Sequence, residues 1–383
     1  MQVADLRIAL FSGNYNYVRD GANKAQNRLV KTLLDHGAQV RVYAPEVAQP
    51  AFPPTGPMIG IPSIALPGRG EYRMPLGMGR AARHDLEAFQ PHVIHISSPD
   101  RAGRQAAAWG RATGRPVVAT VHTRFETYPR YYGLSFAEPW IEAWLRRLYA
   151  RCDVLLVPSP TMVDVLREQR MNRNVAIWSR GVEKGIFNPG ARDLEWRRSI
   201  GLADQPIVIG FLGRLVLEKG LGVFADTLQR LRERGIPHQV LVIGEGPARQ
   251  WFAERTPGAV FAGFLAGEEL GRAVASMDVL FNPSVTETFG NVTLEAMAAG
   301  IPTVAARATG SSGLVENGVS GLLVPPGDID GFAKALARYA EDPMLLKAHG
   351  EAAVARAEPY DWESINLSVA DIYLQLIRER RSQ

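Results

Sequence analysis

The run Asp278-Val-Leu-Phe-Asn-Pro-Ser-Val-Thr-Glu287-Thr-Phe-Gly290-Asn-Val-Thr-Leu-Glu295-Ala-Met-Ala-Ala-Gly300 decides how the chain reads. Val279 to Phe281 is the short apolar run that a buried strand needs, and Pro283 and Ser284 break it. A polar loop follows. Asn291 to Ala299 predicts a helix, because Leu294, Glu295, Ala296, Met297 and Ala298 are good helix formers and Gly300 with Pro302 stops them. Glu287 therefore falls in the loop before the helix, and Glu295 about one turn inside it. The small-residue turn between them opens backbone N–H groups at a helix N-terminus, which favours phosphate oxygens. Two carboxylates beside a phosphate do not bind it, but they accept hydrogen bonds from sugar hydroxyls on either side. Phosphate in the middle with a sugar at each end is a nucleotide-sugar. On the residues alone, two other readings stay open. The glutamates can be a solvated loop-and-helix pair, or the acid and nucleophile of a glycosidase, which requires both carboxylates to face one bond.

The whole chain sets the frame. Its 383 residues exceed one ordinary core and suit two domains. Hydrophobic residues make up 46% and charged residues 21%, a globular balance. There is no apolar run of roughly 18 residues, so no membrane-spanning helix is expected. The start, Met1-Gln-Val-Ala-Asp5-Leu-Arg7, does not read as a signal peptide and enters a strand almost at once. The single cysteine, Cys152, cannot close an intrachain disulfide and is expected to be buried and inert. Together these features predict a reducing, cytoplasmic setting. The net charge of +4 is uneven, with the excess of Lys and Arg in the first half and a net acidic second half. A basic first half suits an anionic partner (a membrane surface, nucleic acid or a phosphorylated substrate), or is simply a solvated basic face.

Leu6 to Phe11, Ala22 to His36 and Val40 to Tyr43 predict a strand, a helix and a strand, a βαβ opening. A dinucleotide-binding oxidoreductase also begins so, but needs G-x-G-x-x-G in the first turn, and this turn holds only Gly13 and Gly21. Residues 48 to 80, rich in Pro, Gly and Met, read as loop and edge. Helices are expected at 81–89, about 100–113 and 160–170, and strands at 93–96, 116–121, 152–157 and 175–178. His122 is the first residue past one of those strands, where ligands gather in open α/β sheets. A lone histidine there is more often a structural hydrogen bonder. From 130 to 151 aromatics alternate with basics: Tyr131, Tyr132, Phe136, Trp140, Trp144 and Tyr149 with Arg130, Arg146, Arg147 and Arg151. Such a helix can lie in a membrane interface or pack its Trp residues into a core, and the basic charge of this half favours the interface. No nucleic-acid motif is present. A second alternation of strands and helices runs from Pro206 to Tyr339, and Trp362 to Arg378 predicts a long amphipathic helix.

The segment T-E-T-F-G-N-V-T-L-E-A-M-A-A-G-I-P (286–302) resembles the E-x7-E signature of the retaining glycosyltransferases of family 4, which have the GT-B fold. G-R-L-V-L-E-K-G (213–220) resembles that family's diphosphate grip, and S-R-G-V-E-K-G-I-F-N-P (179–189) the segment that closes its first domain. G-E-G-P (244–247) resembles a family turn for which a tight glycine turn is reason enough. H-T-R-F-E-T-Y-P-R-Y-Y-G (122–133) is similar to the branch of sulfoquinovosyl-diacylglycerol synthases and of the mannosyl- or glucuronosyltransferases of bacterial glycolipids. Glycogen-phosphorylase-like enzymes share the fold, but nothing here supports their lysine-bound pyridoxal phosphate.

The resemblance implies an α/β protein of GT-B type, two Rossmann-like domains facing across a cleft. Residues 1–190 would bind the acceptor and 191–361 the donor, with the helix in 362–383 packing back on the first domain. It implies hexosyl transfer with retention from a nucleoside-diphosphate sugar, a UDP-sugar ahead of GDP-mannose, without metal or other cofactor. The acceptor would be a lipid hydroxyl at an anionic membrane, the enzyme lying peripherally on the inner face of the plasma membrane. His122, Glu287, Arg214 and Lys219 would act at the reaction centre. Gly21, Gly213, Phe264, Thr288, Phe289, Gly290, Asn291, Val292 and Glu295 would complete the donor site. The rivals are a non-catalytic nucleotide-sugar-binding protein and a GT-B epimerase or hydrolase.

Overall fold

Four-residue runs such as Val93–Ile96, Val117–Thr120, Val154–Val157 and Val279–Asn282 are buried at every position. That is the signature of parallel strands covered by helices on both faces. In a computed structural model the chain divides into two compact units, Met1–Arg180 with Trp362–Gln383, and Gly181–Asp361. The structure describes residues 1–18, 21–66, 69–122, 136, 138–287 and 289–382.

The first unit runs β1 (Arg7–Phe11), α1 (Gly21–Asp35), β2 (Gln39–Pro45), β3 (Met58–Ile61), β4 (Ser63–Leu66), β5 (Arg69–Pro75), α2 (Gly79–Phe89), β6 (Val93–Ile96), α3 (Arg101–Ala112), β7 (Val117–Thr120), α4 (Glu138–Tyr149), β8 (Val154–Val157), α5 (Pro160–Glu168) and β9 (Val175–Ile177). The sheet order is β3-β2-β1-β6-β7-β8-β9, with parallel pairings. The order reverses between β1 and β6. Residues 58–75, expected to be loop and edge, instead form the outer strand β3 and the antiparallel hairpin β4–β5. Pro57 and Pro62 flank a strand of four residues there, and proline at a sheet edge leaves no ladder bond unmade.

The second unit runs α6 (Leu194–Ser199), β10 (Val208–Leu212), α7 (Leu221–Glu233), β11 (Gln239–Ile243), α8 (Arg249–Arg255), β12 (Val260–Gly263), α9 (Gly267–Ala275), β13 (Val279–Asn282), α10 (Asn291–Ala298), β14 (Thr303–Ala306), α11 (Thr309–Ser312), β15 (Gly321–Val324), α12 (Ile329–Glu341) and α13 (Pro343–Ala357). Its sheet is parallel, ordered β12-β11-β10-β13-β14-β15, and reverses between β10 and β13. The expected domain boundary at 190 falls too late, because residues 181–190 belong to this unit. Val182 bridges to Asp361, and Phe187 lies in one core with Leu280, Leu294 and Met297. Farther along, fully buried Arg197 donates to Asp278 Oδ2 at 2.9 Å, and the same oxygen accepts from Val208 N at 2.8 Å.

The last helix, α14 (Trp362–Arg381), returns to the first unit. Val369, Ala370, Tyr373 and Ile377 join Leu10, Val30, Val118 and Trp178 in the core on one face of that sheet. Asn366 accepts from Trp178 Nε1 at 3.2 Å and donates to Thr32 Oγ1 at 3.0 Å, and Arg380 pairs with Asp153 at 2.6 Å. The other face carries a separate core of Phe11, Ile94, Ala119, Leu145 and Leu155. Cys152 is buried there, and burial pushes its thiol up to about 12, so it is inert as a nucleophile.

Candidate active site

In the second unit the sheet order reverses at β10 and β13, and the loops after those two strands hold Arg214, Lys219 and Glu287. Ligands of open α/β sheets bind outside the carboxyl ends of strands at such a reversal. Lys219 ends a short 3-10 turn, Leu217–Lys219, and Gly220 follows with φ +77°. A Cβ on Gly220 would lie 3.1 Å from the carbonyl of Pro283, so the small residue lets the two loops touch. The contact brings Lys219 Nζ to Glu287 Oε1 at 3.1 Å, with Thr286 Oγ1 donating to Glu218 O at 3.3 Å. Lys219 is 30% exposed and Glu287 13%, which leaves the pair half-sheltered. Arg214, by contrast, is exposed and its guanidinium meets no described partner.

Gly290 precedes α10 at φ +96°, a left-handed conformation that favours glycine. A Cβ there would meet the carbonyl oxygen of Gly310 at 2.9 Å. The first bond of the helix is Leu294 N to Gly290 O, so the N–H groups of Asn291, Val292 and Thr293 have no partner within it. No side chain caps the helix. Glu295 lies in its second turn, half-buried. Thr288 lies outside the described residues. At Phe289 the group expected to meet a ligand is the backbone N–H, not the ring. Its ring is buried with Leu294 and Met297 and meets Tyr360 edge-on, so only its backbone is available to a ligand. Gly213 opens the Arg214 loop, and Phe264, 67% exposed, follows β12 at the same end of the sheet.

In the first unit His122 follows β7 and is partly buried. Its Nδ1 lies 2.6 Å from Arg180 Nη2, and its ring 5.3 Å from that of Trp178. Burial first, then the Arg180 charge and His95, hold the imidazole well below its ordinary proton affinity. His95 is fully buried beside it. Its Nδ1 meets Tyr373 Oη at 2.6 Å and its Nε2 meets Thr120 Oγ1 at 2.5 Å. Gly21 begins α1; the loop before it is held by Gly13 N donating to Ser98 Oγ at 2.7 Å, and Ser98 Oγ donating to Asp100 at 2.6 Å. Residues 123–135, with Arg130, Tyr131 and Tyr132, lie outside the described residues. Of the aromatic-basic stretch, Phe136 is 77% and Trp140 81% exposed, whereas Ile141 and Trp144 lean on the core.

The sequence reading missed two neighbours of the site. Arg180 stood in a quoted motif without a role. Gly310 lies in the small-residue run Ala308-Thr-Gly-Ser-Ser-Gly313, where a Cβ would meet Glu287 O at 2.8 Å; the run of small residues was the available signal.

Residues 19–184 match the family model Glycosyltransferase Family 4, and residues 206–342 match Glycosyl transferases group 1. Sulfoquinovosyl transferase SQD2 of Arabidopsis thaliana is 31% identical over 95% of this chain and 72% of its own length. The chain belongs to glycosyltransferase family 4. A GDP-mannose-dependent alpha-mannosyltransferase of Mycolicibacterium smegmatis is 34% identical over 86% of this chain and 87% of its own. Sucrose-phosphate synthase of Thermosynechococcus elongatus superposes with a TM-score of 0.78 at 21% identity, covering 98% of this chain and 100% of that one. The family 4 chain thus has the GT-B type of fold, is a glycosyltransferase, and falls in the branch that the 122–133 motif indicated.

Proposed function

We propose that this enzyme transfers a hexosyl group with retention from a nucleoside-diphosphate sugar to a hydroxyl acceptor, without a metal ion. The observation that carries the reading is Lys219 held against Glu287 beside the uncapped start of α10. A diphosphate there meets fixed N–H dipoles and two cations, Lys219 and Arg214. These neutralise the charge that develops as the bond from the anomeric carbon to the diphosphate breaks. Glu287 accepts from a hydroxyl of the donor sugar and Glu295 from the ribose. His122 positions the transferred sugar. The acceptor hydroxyl attacks the anomeric carbon from the face the diphosphate leaves, and its proton passes to the departing diphosphate oxygen. Exclusion of water protects the reactive sugar during that step.

The donor is a UDP-sugar or GDP-mannose, the latter being the donor that the mannosyltransferase relative's name carries. Thermal unfolding with UDP, GDP or ADP in large excess tests this. At a hundredfold over Kd a ligand adds about 2.7 kcal/mol, a rise in Tm on the order of 5–10 °C for a unit of this size. One nucleotide is expected to stand out. No shift with any of them overturns the donor assignment.

The acceptor, on our reading, is a lipid at an anionic membrane, with the enzyme peripheral on the cytoplasmic face. No described helix is long and apolar enough to cross a membrane. Trp140 stands exposed in the first turn of α4, Phe136 is exposed two residues before its start, and Arg146 and Arg147 lie in its last turn. An interfacial helix inserts aromatics and leaves arginines at the headgroups. Cosedimentation with phosphatidylglycerol vesicles is expected for the native chain and is expected to weaken severalfold in Trp140→Ser, with unchanged melting. Equal binding by both proteins removes α4 from the membrane assignment.

A further inference from the structure

Arg180 ends the first of the two stretches of chain that make up the first unit, and its guanidinium is fixed from three sides. Nη1 donates to the carbonyls of Trp178 and Ser179, each at 3.3 Å, and the group lies 5.1 Å over the Trp178 ring. Nη2 lies 2.6 Å from His122 Nδ1. A guanidinium offers only N–H donors and keeps its proton throughout the ordinary pH range. The nitrogen that faces it must accept, and an imidazole nitrogen accepts only when it carries no proton. The ring proton is then on Nε2. That nitrogen is closed off from solvent and has no partner among the described residues. A buried donor left without an acceptor is costly, which marks Nε2–H as a group that a ligand oxygen satisfies.

We infer that Arg180 is a positioning residue that locks His122 as its neutral Nε2–H tautomer, so that His122 meets the ligand as a hydrogen-bond donor and never as a general base. With Nδ1 committed to Arg180 and Nε2 protonated, the ring keeps no lone pair for the acceptor's proton, which must leave by another route. The identity of the ligand, a sugar hydroxyl, rests on the glycosyl-transfer reading; the tautomer does not.

The tautomer is read directly by long-range proton–nitrogen NMR of chain labelled with 15N-histidine, with His122 assigned by its loss in His122→Gln. The expected spectrum has a protonated Nε2 and a bare Nδ1 that persist from about pH 8 to pH 5. Arg180→Met is expected to release a mixture of tautomers, and Arg180→Lys, which keeps a cationic donor, to restore the single form. Kinetics add a second readout. The amide nitrogen of Gln reaches where Nε2 lies and that of Asn does not, so His122→Gln is expected to retain about tenfold more kcat than His122→Asn, the worth of one hydrogen bond. A protonated Nδ1 in the native chain overturns the inference, even if Arg180→Met fails to fold. Failure of the native chain to turn over any nucleotide-sugar sinks the reaction reading instead, since the NMR experiment uses no substrate.

Discussion

The two units share a doubly wound sheet yet hold their polar site groups in opposite ways. In the second unit the groups sit on loops after β10 and β13, placed by backbone contacts that only small residues permit: Gly220 against Pro283, and Gly290 against Gly310. Lys219 and Glu287 stay partly open to solvent, and Arg214 is exposed. In the first unit the groups are sheltered in a chain of side chains, buried Arg180 to partly buried His122, and buried Thr120 to His95 to Tyr373. A charged ligand needs reachable cations that give up few contacts on binding. A neutral donor needs a fixed ring and no competing water. Open charge and sealed neutrality are thus two solutions to two different recognition problems.

The largest effect that would break this contrast lies in the second unit. Lys219→Ala and Arg214→Ala are each expected to lower kcat by about 10²–10³-fold, the loss typical of one group that stabilises developing charge. Their stabilities should differ. Arg214 is exposed and makes no hydrogen bond or ion pair through its side chain with a described residue, so its removal should change unfolding by less than about 0.5 kcal/mol. Removing Lys219 leaves half-sheltered Glu287 without its cation, and about 1 kcal/mol of destabilisation is expected from so open a pair. Steady-state kinetics with the nucleotide-sugar, paired with denaturant melts, checks both. Native turnover in Lys219→Ala would end the assignment of this pair to the diphosphate.

The contrast also explains what could be read from the sequence. The second unit's site is local in the chain. Gly213 to Gly220 and Glu287 to Glu295 are each one strand-loop-helix crossing, so the residue types and their spacing carry the geometry. The strands there are continuous apolar runs, and β13 (Val279–Asn282) matches the expected Val279 to Phe281 within one residue. The first unit's site is not local. Arg180 is 58 residues from His122, and Tyr373 is 278 residues from His95, so neither pairing leaves a pattern in sequence. β3 to β5 were hidden because strands this short, broken by proline and glycine, show no period of two to recognise.

A smaller effect tests the sealed side of the comparison. Burial pushes His95 from 6.5 down to about 3, and the groups around it are hydroxyls of Thr120 and Tyr373, with Trp178 edge-on. His122 moves in the same direction, facing Arg180 and His95. On acidification the unfolded chain takes up a proton on His95 below about pH 6.5, while the folded chain stays neutral until about 3. The unfolded state then holds more protons, so stability falls as pH falls through that window. For His95 alone the loss between about pH 8 and pH 5 is on the order of 2 kcal/mol. Asp100, whose carboxyl burial raises, pulls the other way, but it is common to the native chain and to His95→Gln and cancels between them. Denaturant unfolding of both proteins at the two pH values should therefore show the native chain losing about 2 kcal/mol more than the variant. Parallel losses would mean that His95 takes up its proton in the folded state, and that water or a counter-charge reaches the interior of the first unit. The sealed network would then be open, and the distinction between the two units would rest on the loops of the second alone.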